Sequence, residues 1–178
     1  MGYSSTADYM ISMSEICLEE NIFPHSNLGI ANQSELKRFR KSNPSMGLML
    51  ENISERLMKP GMAHHKCPDK YPKARINTIS TAGELKIPWT SGILIGIGEN
   101  WDERIDSILE LRKINDSYGH IQEIIIQNFS PKPGIKMEGH PVPTDLDMIK
   151  TVALSKLIMG DAVSIQVPPN LNSKSYML

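Results

Sequence analysis

The chain has 178 residues, 40% of them hydrophobic and 22% charged, with a formal net charge of −1. That fits one globular domain able to bury a sizeable core, and it excludes a basic nucleic-acid surface or a polybasic membrane patch as the basis of function. The strongly apolar run Ile93 to Ile97 is far shorter than the roughly 20 residues that cross a bilayer. Met1 to Thr6 has no apolar segment behind a basic one, as a secretory leader would.

Cys17 and Cys67 are too few and too far apart to suggest a disulfide framework, so a reducing, cytoplasmic location is expected. The eleven methionines read as flexible core filler.

In chain order, Ser4 to Glu20 reads as a helix with Met10, Met13, Ile16 and Cys17 on one stripe. Asn21 to Gly29 steps into the loop FPHSNLG, Ser34 to Arg40 is a short basic helix, and MGLMLE from Met46 to Glu51 is a compact apolar run. Ile53 to Met58 begins another helix, stopped by Pro60 and Gly61. Met62 to Tyr71 is polar and irregular, and Pro72 to Leu85 resumes helical spacing.

Trp89 to Ile97 is apolar throughout, as in a strand covered on both faces. Asn100 with Glu103 predicts a capping box for a helix that buries Ile105, Ile108, Leu109 and Ile114 and ends at Gly119. Ile121 to Phe129 is the next strand, Ser130 to Pro143 a loop rich in Pro and Gly, and Thr144 caps a helix through Met159. Val163 to Val167 is a last strand, followed by PPNL.

Strands alternating with helices of this size predict parallel βαβ units in one α/β domain. His25 and Asn27, Glu51, Glu99, Asn128 and Asn170 fall at or just past the ends of successive strands. Such ends converge on one rim in a parallel barrel, where substrates bind, and this favours a barrel over a doubly wound sheet. A dinucleotide fingerprint at Gly96 and Gly98 fails, because Trp101 stands where the third glycine belongs.

Each candidate has a plainer role. Gly96 and Gly98 can serve a strand-to-helix turn, or let a flat ring lie on the strand backbone. Glu51 suits a helix start. Arg75 can be a solvated charge or a two-pronged clamp on a carboxylate. His64, His65 and Cys67 match no zinc spacing, so no metal ligand is assigned.

Taken together, PHSNLG, SMGLMLEN, CPDKYPKARINTISTAG, WTSGILIGIGE, GHIQEIIIQNF and QVPPNL are more specific than any one piece. They resemble, from about Tyr9 to Leu171, the first subunit of 7,8-didemethyl-8-hydroxy-5-deazariboflavin synthase, a radical S-adenosylmethionine family. The resemblance implies a partial (β/α) barrel with S-adenosylmethionine across its rim. GILIGIGE is similar to the family's GxIxGxxE strand, with Leu94 in the isoleucine position. It implies cofactor contacts at Glu51, Arg75, Gly96, Ile97 and Glu99, and substrate contacts at His25, Asn27, Asn128 and Asn170. The catalytic base is left unassigned.

The implied reaction starts from reductive cleavage of S-adenosylmethionine and hydrogen abstraction from a tyrosine-derived hydroxybenzyl adduct of a ribitylaminouracil. Cyclisation with loss of ammonia follows, making the enzyme a lyase of coenzyme F-420 biosynthesis. An electron donor and a companion subunit that supplies the adduct are implied as partners; nucleic acid and membrane are not. The sequence departs from the family in lacking the CxxxCxxC that holds a 4Fe-4S cluster. The expectation is therefore the middle and back of such an enzyme, inactive alone. The alternatives are a cluster-free S-adenosylmethionine-binding module, or another radical barrel enzyme related to biotin synthase.

Overall fold

The computed structural model describes residues 2–169. In chain order the elements are α1 (Thr6–Glu19), β1 (His25–Asn27), α2 (Gln33–Phe39) and β2 (Ser45–Gly47), then two 3₁₀ turns at Glu55–Met58 and Pro68–Lys70. After them come α3 (Pro72–Glu84), β3 (Trp89–Ile95), α4 (Trp101–Tyr118), β4 (Ile121–Asn128), α5 (Asp145–Met159) and β5 (Ser164–Gln166).

All four neighbouring strand pairs are parallel, and the sheet order is β1-β2-β3-β4-β5. Right-handed crossovers between strands laid down in sequential order put every helix on the same side of the sheet. A doubly wound sheet would reverse its order and carry helices on both faces. The arrangement is thus the wall of a barrel, with the C-terminal strand ends at one edge.

The core lies between helices and sheet, where Leu36, Phe39, Met46, Leu50, Ile79, Trp89, Ile93, Ile108, Leu111 and Ile124 are buried. Burying each such side chain contributes about 1.5–3 kcal/mol. Gly92 lets β3 and β4 meet closely, since a Cβ there would overlap the carbonyl of Ile125.

The helix starts are local chemistry. Asn32 with Glu35, Asn100 with Glu103 and Thr144 with Asp147 each form a reciprocal capping box. Three sequence expectations shift. The stretch Ile53 to Met58 forms only the 3₁₀ turn Glu55–Met58, and the chain ahead of it is tied to α4 by the Ile53 N–H donating to the buried Ser107 Oγ at 3.0 Å. On α4 the inward stripe is Arg104, Ser107, Ile108, Leu111 and Ile114, which turns Leu109 outward to 47% exposure.

On α1, Ile16 is exposed and the one buried residue is Ser14. Ala7, Met10 and Ile11 of that helix pack partly buried against the core, and beside them a polar knot ties it to β1. Ser26 donates to Asn43 Oδ1 at 2.6 Å, and Asn43 donates to Ser14 Oγ at 3.2 Å and to the Phe39 carbonyl at 3.1 Å.

Candidate functional site

Two polar constructions occupy the C-terminal edge of the sheet. The first is built on Glu51. It follows β2, and a single bridge joins it to β3: its N–H donates to the Gly92 carbonyl at 3.0 Å, and its carbonyl accepts from Leu94 at 2.9 Å. Its φ of 68° is left-handed, which costs a side-chain-bearing residue about 1–2 kcal/mol. The bridge holds this conformation, and it sends a nearly buried carboxylate into the site.

Lys70 donates to Glu51 Oε1 at 2.5 Å, and Arg75 Nη1 stands 3.7 Å away. Arg75 is not a solvated charge: it is 5% exposed. Its Nε donates to the Asp69 carbonyl at 2.8 Å and its Nη1 to the Met49 carbonyl. The guanidinium thus ties the 3₁₀ turn carrying Lys70 to the segment after β2 that carries Glu51. His64 is buried beside this cluster, and its Nδ1 has no hydrogen-bond partner. Desolvation lowers its pKa, against the opposing pull of Glu51.

The second construction braces the end of β3. The Glu99 side chain is fully buried and accepts from the N–H groups of Gly96 and Ile97, each at 2.8 Å. It also pairs with Arg104 Nε at 2.6 Å; Arg104 lies over the Trp101 ring at 4.6 Å from its centroid. The two glycines act differently. Gly96, at φ 85°, is packed against the ring of Pro143, which a Cβ would strike. Gly98, at φ 93°, has its carbonyl held by Arg56 Nη2 at 2.7 Å. Arg56 in turn grips both oxygens of Glu103, at 2.8 and 2.6 Å, and lowers that carboxyl to about 2.

Beyond Ile97 and Gly98 opens a cavity of about 670 Å³. One wall comes from the loop after β2, through Met62, His65 and Cys67, and the other from the loop after β4, through Lys136, Met137 and His140. These residues were not singled out as a set in the sequence, since irregular loops carry no periodic signal.

Glu51, Arg75, Gly96, Ile97 and Glu99 therefore gather at the ends of β2 and β3, with Asn128 paired to Ile95 beside them. His25 and Asn27 do not join them. They pair with Ser45 and Gly47 on β2, several residues ahead of Glu51, and His25 Nδ1 lies 2.8 Å from Ser45 Oγ. Asn170 lies outside the described residues. Cys17 is on α1 and Cys67 in the loop after β2, and both are free. Among the described residues no three His, Cys, Asp or Glu stand close enough to hold a metal, so they do not fit a three-thiolate iron–sulfur cluster. No described helix is long and apolar enough to cross a membrane.

No family model matches the chain. Among curated relatives, the 7,8-didemethyl-8-hydroxy-5-deazariboflavin synthase of Methanococcus vannielii is 55% identical over 179 residues, covering 100% of this chain and 50% of the relative. Those of Methanopyrus kandleri and Methanocaldococcus jannaschii are 48% and 50% identical, covering 99% and 100% of this chain and 53% and 49% of theirs. The chain spans about half the length of the curated relatives it matches.

Among solved structures, the FeFe-hydrogenase maturase HydG of Carboxydothermus hydrogenoformans superposes with a TM-score of 0.72 at 18% identity, covering 94% of this chain and 42% of that one. Streptococcus suis SuiB bound to S-adenosylmethionine gives 0.62 at 13%, with coverage of 94% and 40%. At such identities the likeness concerns the fold alone, the parallel α/β wall of a partial barrel. The chain is thus homologous along its whole length to about half of a 7,8-didemethyl-8-hydroxy-5-deazariboflavin synthase.

Proposed function

We propose that this polypeptide forms part of a deazariboflavin synthase in coenzyme F-420 biosynthesis and holds S-adenosylmethionine at the C-terminal ends of β2 and β3. The observation that carries this reading is the match to the synthases at 48–55% identity along the whole chain. The Glu51 corner supports it, because its groups suit the ligand. A carboxylate can accept from ribose hydroxyls, and the Lys70 and Arg75 cations favour a nearby methionyl carboxylate. Arg75 has its Nε and Nη1 on backbone carbonyls, so it offers Nη2 to such a carboxylate. The adenine lies beside Gly96 and Ile97, where Glu99 fixes the backbone. S-adenosylmethionine supplies, when bound, the 5'-deoxyadenosyl group from which the chemistry starts.

In the whole enzyme the reaction is cyclisation of a hydroxybenzyl adduct of a ribitylaminouracil with loss of ammonia. The adduct comes from a companion subunit and the electron from an external donor. This chain's part is to bind and orient. Its two cysteines do not fit the cluster, so no cluster step is assigned to it.

The test is complementation. The half of the Methanococcus vannielii synthase that this chain does not match, expressed as a separate polypeptide, is mixed with this chain, adduct, S-adenosylmethionine and reductant. Product formed only by the mixture is expected; no product from the mixture, while the intact relative is active, overturns the reading. A cluster-free S-adenosylmethionine-binding module is the second reading, favoured by the same pair of scattered cysteines beside an intact Glu51 corner. Binding of S-adenosylmethionine without complementation would select it.

A further inference from the structure

Helix α5 carries apolar residues on two opposite faces. Met148, Thr151, Ser155 and Met159 turn inward to the core. Leu146, Ile149, Ala153 and Leu157 turn outward, and Leu157 is 80% exposed. Leu154 joins them, and with Trp101 at the start of α4 it edges a shallow groove. A surface helix keeps its outward face polar, whereas one that is hydrophobic all round belongs in an interior. A contiguous exposed patch of this kind marks an interaction surface.

The rest of a barrel would not cover it. Further strands join the sheet beside β1 or β5, and their helices take places in the outer ring to either side. The stripe on α5 points away from the sheet and out of that ring, opposite the buried Met148 and Ser155.

The order of residues along the stripe selects the occupant. It is symmetric about the point between Thr151 and Val152: Leu146 mirrors Leu157, Ile149 mirrors Leu154, and Lys150 mirrors Ala153. A second α5 running antiparallel therefore sets leucine on leucine and isoleucine on leucine. The Lys150 stem then lies over a small alanine while its ammonium reaches water.

The charges beside the stripe match as well. Asp145, in the first turn, and Lys156, in the last, fall on one flank of the helix. A two-fold axis between antiparallel helices brings like flanks together, so Asp145 of each copy meets Lys156 of the other. Lys156 Nζ donates to the Gly160 carbonyl at 3.2 Å and pairs with Asp161 at 3.0 Å, which leaves it a further proton to donate. A parallel pair would keep Asp145 and Lys156 about 16 Å apart along the axis.

We propose that the outer face of α5 is a homodimer interface, across which a second copy of this chain packs its own α5 antiparallel about a two-fold axis. One helix face is small for an interface, so the dimer is weak, with a Kd on the order of 10 μM. The surface lies outside the barrel wall, and the proposal does not depend on the synthase reading.

Sedimentation equilibrium of the full chain, over concentrations spanning that Kd, reads the association. The parent should pass from monomer to dimer. Leu157→Glu should weaken the dimer at least tenfold, by burying a charge at the contact. Asp145→Lys and Lys156→Asp should each weaken it several-fold. An equimolar mixture of these two should regain the parent's affinity, because their charges match only between unlike copies.

A chain still monomeric at about ten times the expected Kd overturns the proposal. So does a dimer indifferent to Leu157→Glu, which places the contact elsewhere, and so does a mixture no tighter than its two components. Association with the unmatched half of the synthase, without self-association, assigns the face to that half and likewise overturns it. Circular dichroism checks that each variant is folded, and the exposed charge pair carries the test should Leu157→Glu not fold.

Discussion

Replacing Glu99 by alanine removes three hydrogen bonds from one fully buried side chain. The N–H groups of Gly96 and Ile97 lose their acceptor, and an unsatisfied buried donor costs about 1–3 kcal/mol. Arg104, 8% exposed, keeps only Asp147 at 3.6 Å and the Trp101 ring, and breaking one partner of a buried pair costs about 3–5 kcal/mol. These costs overlap, because water entering the emptied space re-solvates part of what is exposed. A net loss of about 4 kcal/mol follows.

For a domain of this length that lowers Tm by roughly 8–16 °C, at about 2–4 °C per kcal/mol. The assay is urea unfolding followed by circular dichroism, with Glu110→Ala on α4 as a control. Glu99→Gln should fall between, since its amide nitrogen faces a donor. In a double-mutant cycle with Arg104→Met, the coupling energy should exceed about 1 kcal/mol. A Glu99→Ala protein within about 1 kcal/mol of the parent would refute the view that this acid is a structural brace.

In the complemented enzyme, Arg75→Ala should weaken S-adenosylmethionine affinity at least tenfold while Lys73→Ala on the exposed side of α3 leaves it unchanged; equal losses would remove Arg75 from the site. Gly96→Ala forces a Cβ into Pro143 at a left-handed φ, so limited proteolysis should cut the 130–143 loop faster than in the parent. Glu103 has a folded pKa of about 2 against an ordinary 4.5, chiefly through Arg56, so its stabilisation is full above about pH 4.5 and is lost as pH falls toward 2. Glu103→Gln should flatten acid unfolding in that window, by on the order of 2 kcal/mol since Arg56 is partly solvated. Buried His64 and His120 have lowered folded pKa values, so acidification below about pH 6.5 protonates the unfolded chain first and stability falls; His120→Gln should reduce that slope in urea titrations at pH 5 to 7.

What could be read from the sequence was what is decided within a few residues. Asn100 with Glu103 and Thr144 with Asp147 announced α4 and α5, and the apolar stretches around Ile93 and Ile125 announced β3 and β4. The gathering of Glu51, Glu99 and Asn128 followed from parallel strands ending on one edge. The rest needed distances the sequence does not carry. Arg75 is buried because carbonyls of Asp69 and Met49 meet it from two sides, and Lys70 reaches Glu51 from a turn 19 positions away.

The sequence puts His25 after an apolar step, whereas it opens the three-residue β1 in register with Ser45. Ile53 to Met58 has helical composition, yet it forms one tight turn, and its start is tied to Ser107 of α4. The Glu99–Arg104 pair carries a signal in the sequence, an acid and a base astride a helix start.

The left-handed backbone at Glu51 constrains how this position can change over generations. Glycine is the residue its geometry prefers, and asparagine is the next most tolerant. Selection for stability alone would drift there, relieving backbone strain and dissolving the ion pair with Lys70. On the proposed function, a glutamate stands at such a position for its carboxylate rather than for its backbone. A deep mutational scan scored for folding should therefore rank Glu51→Gly among the tolerated changes, while the same scan scored for cofactor binding should reject it.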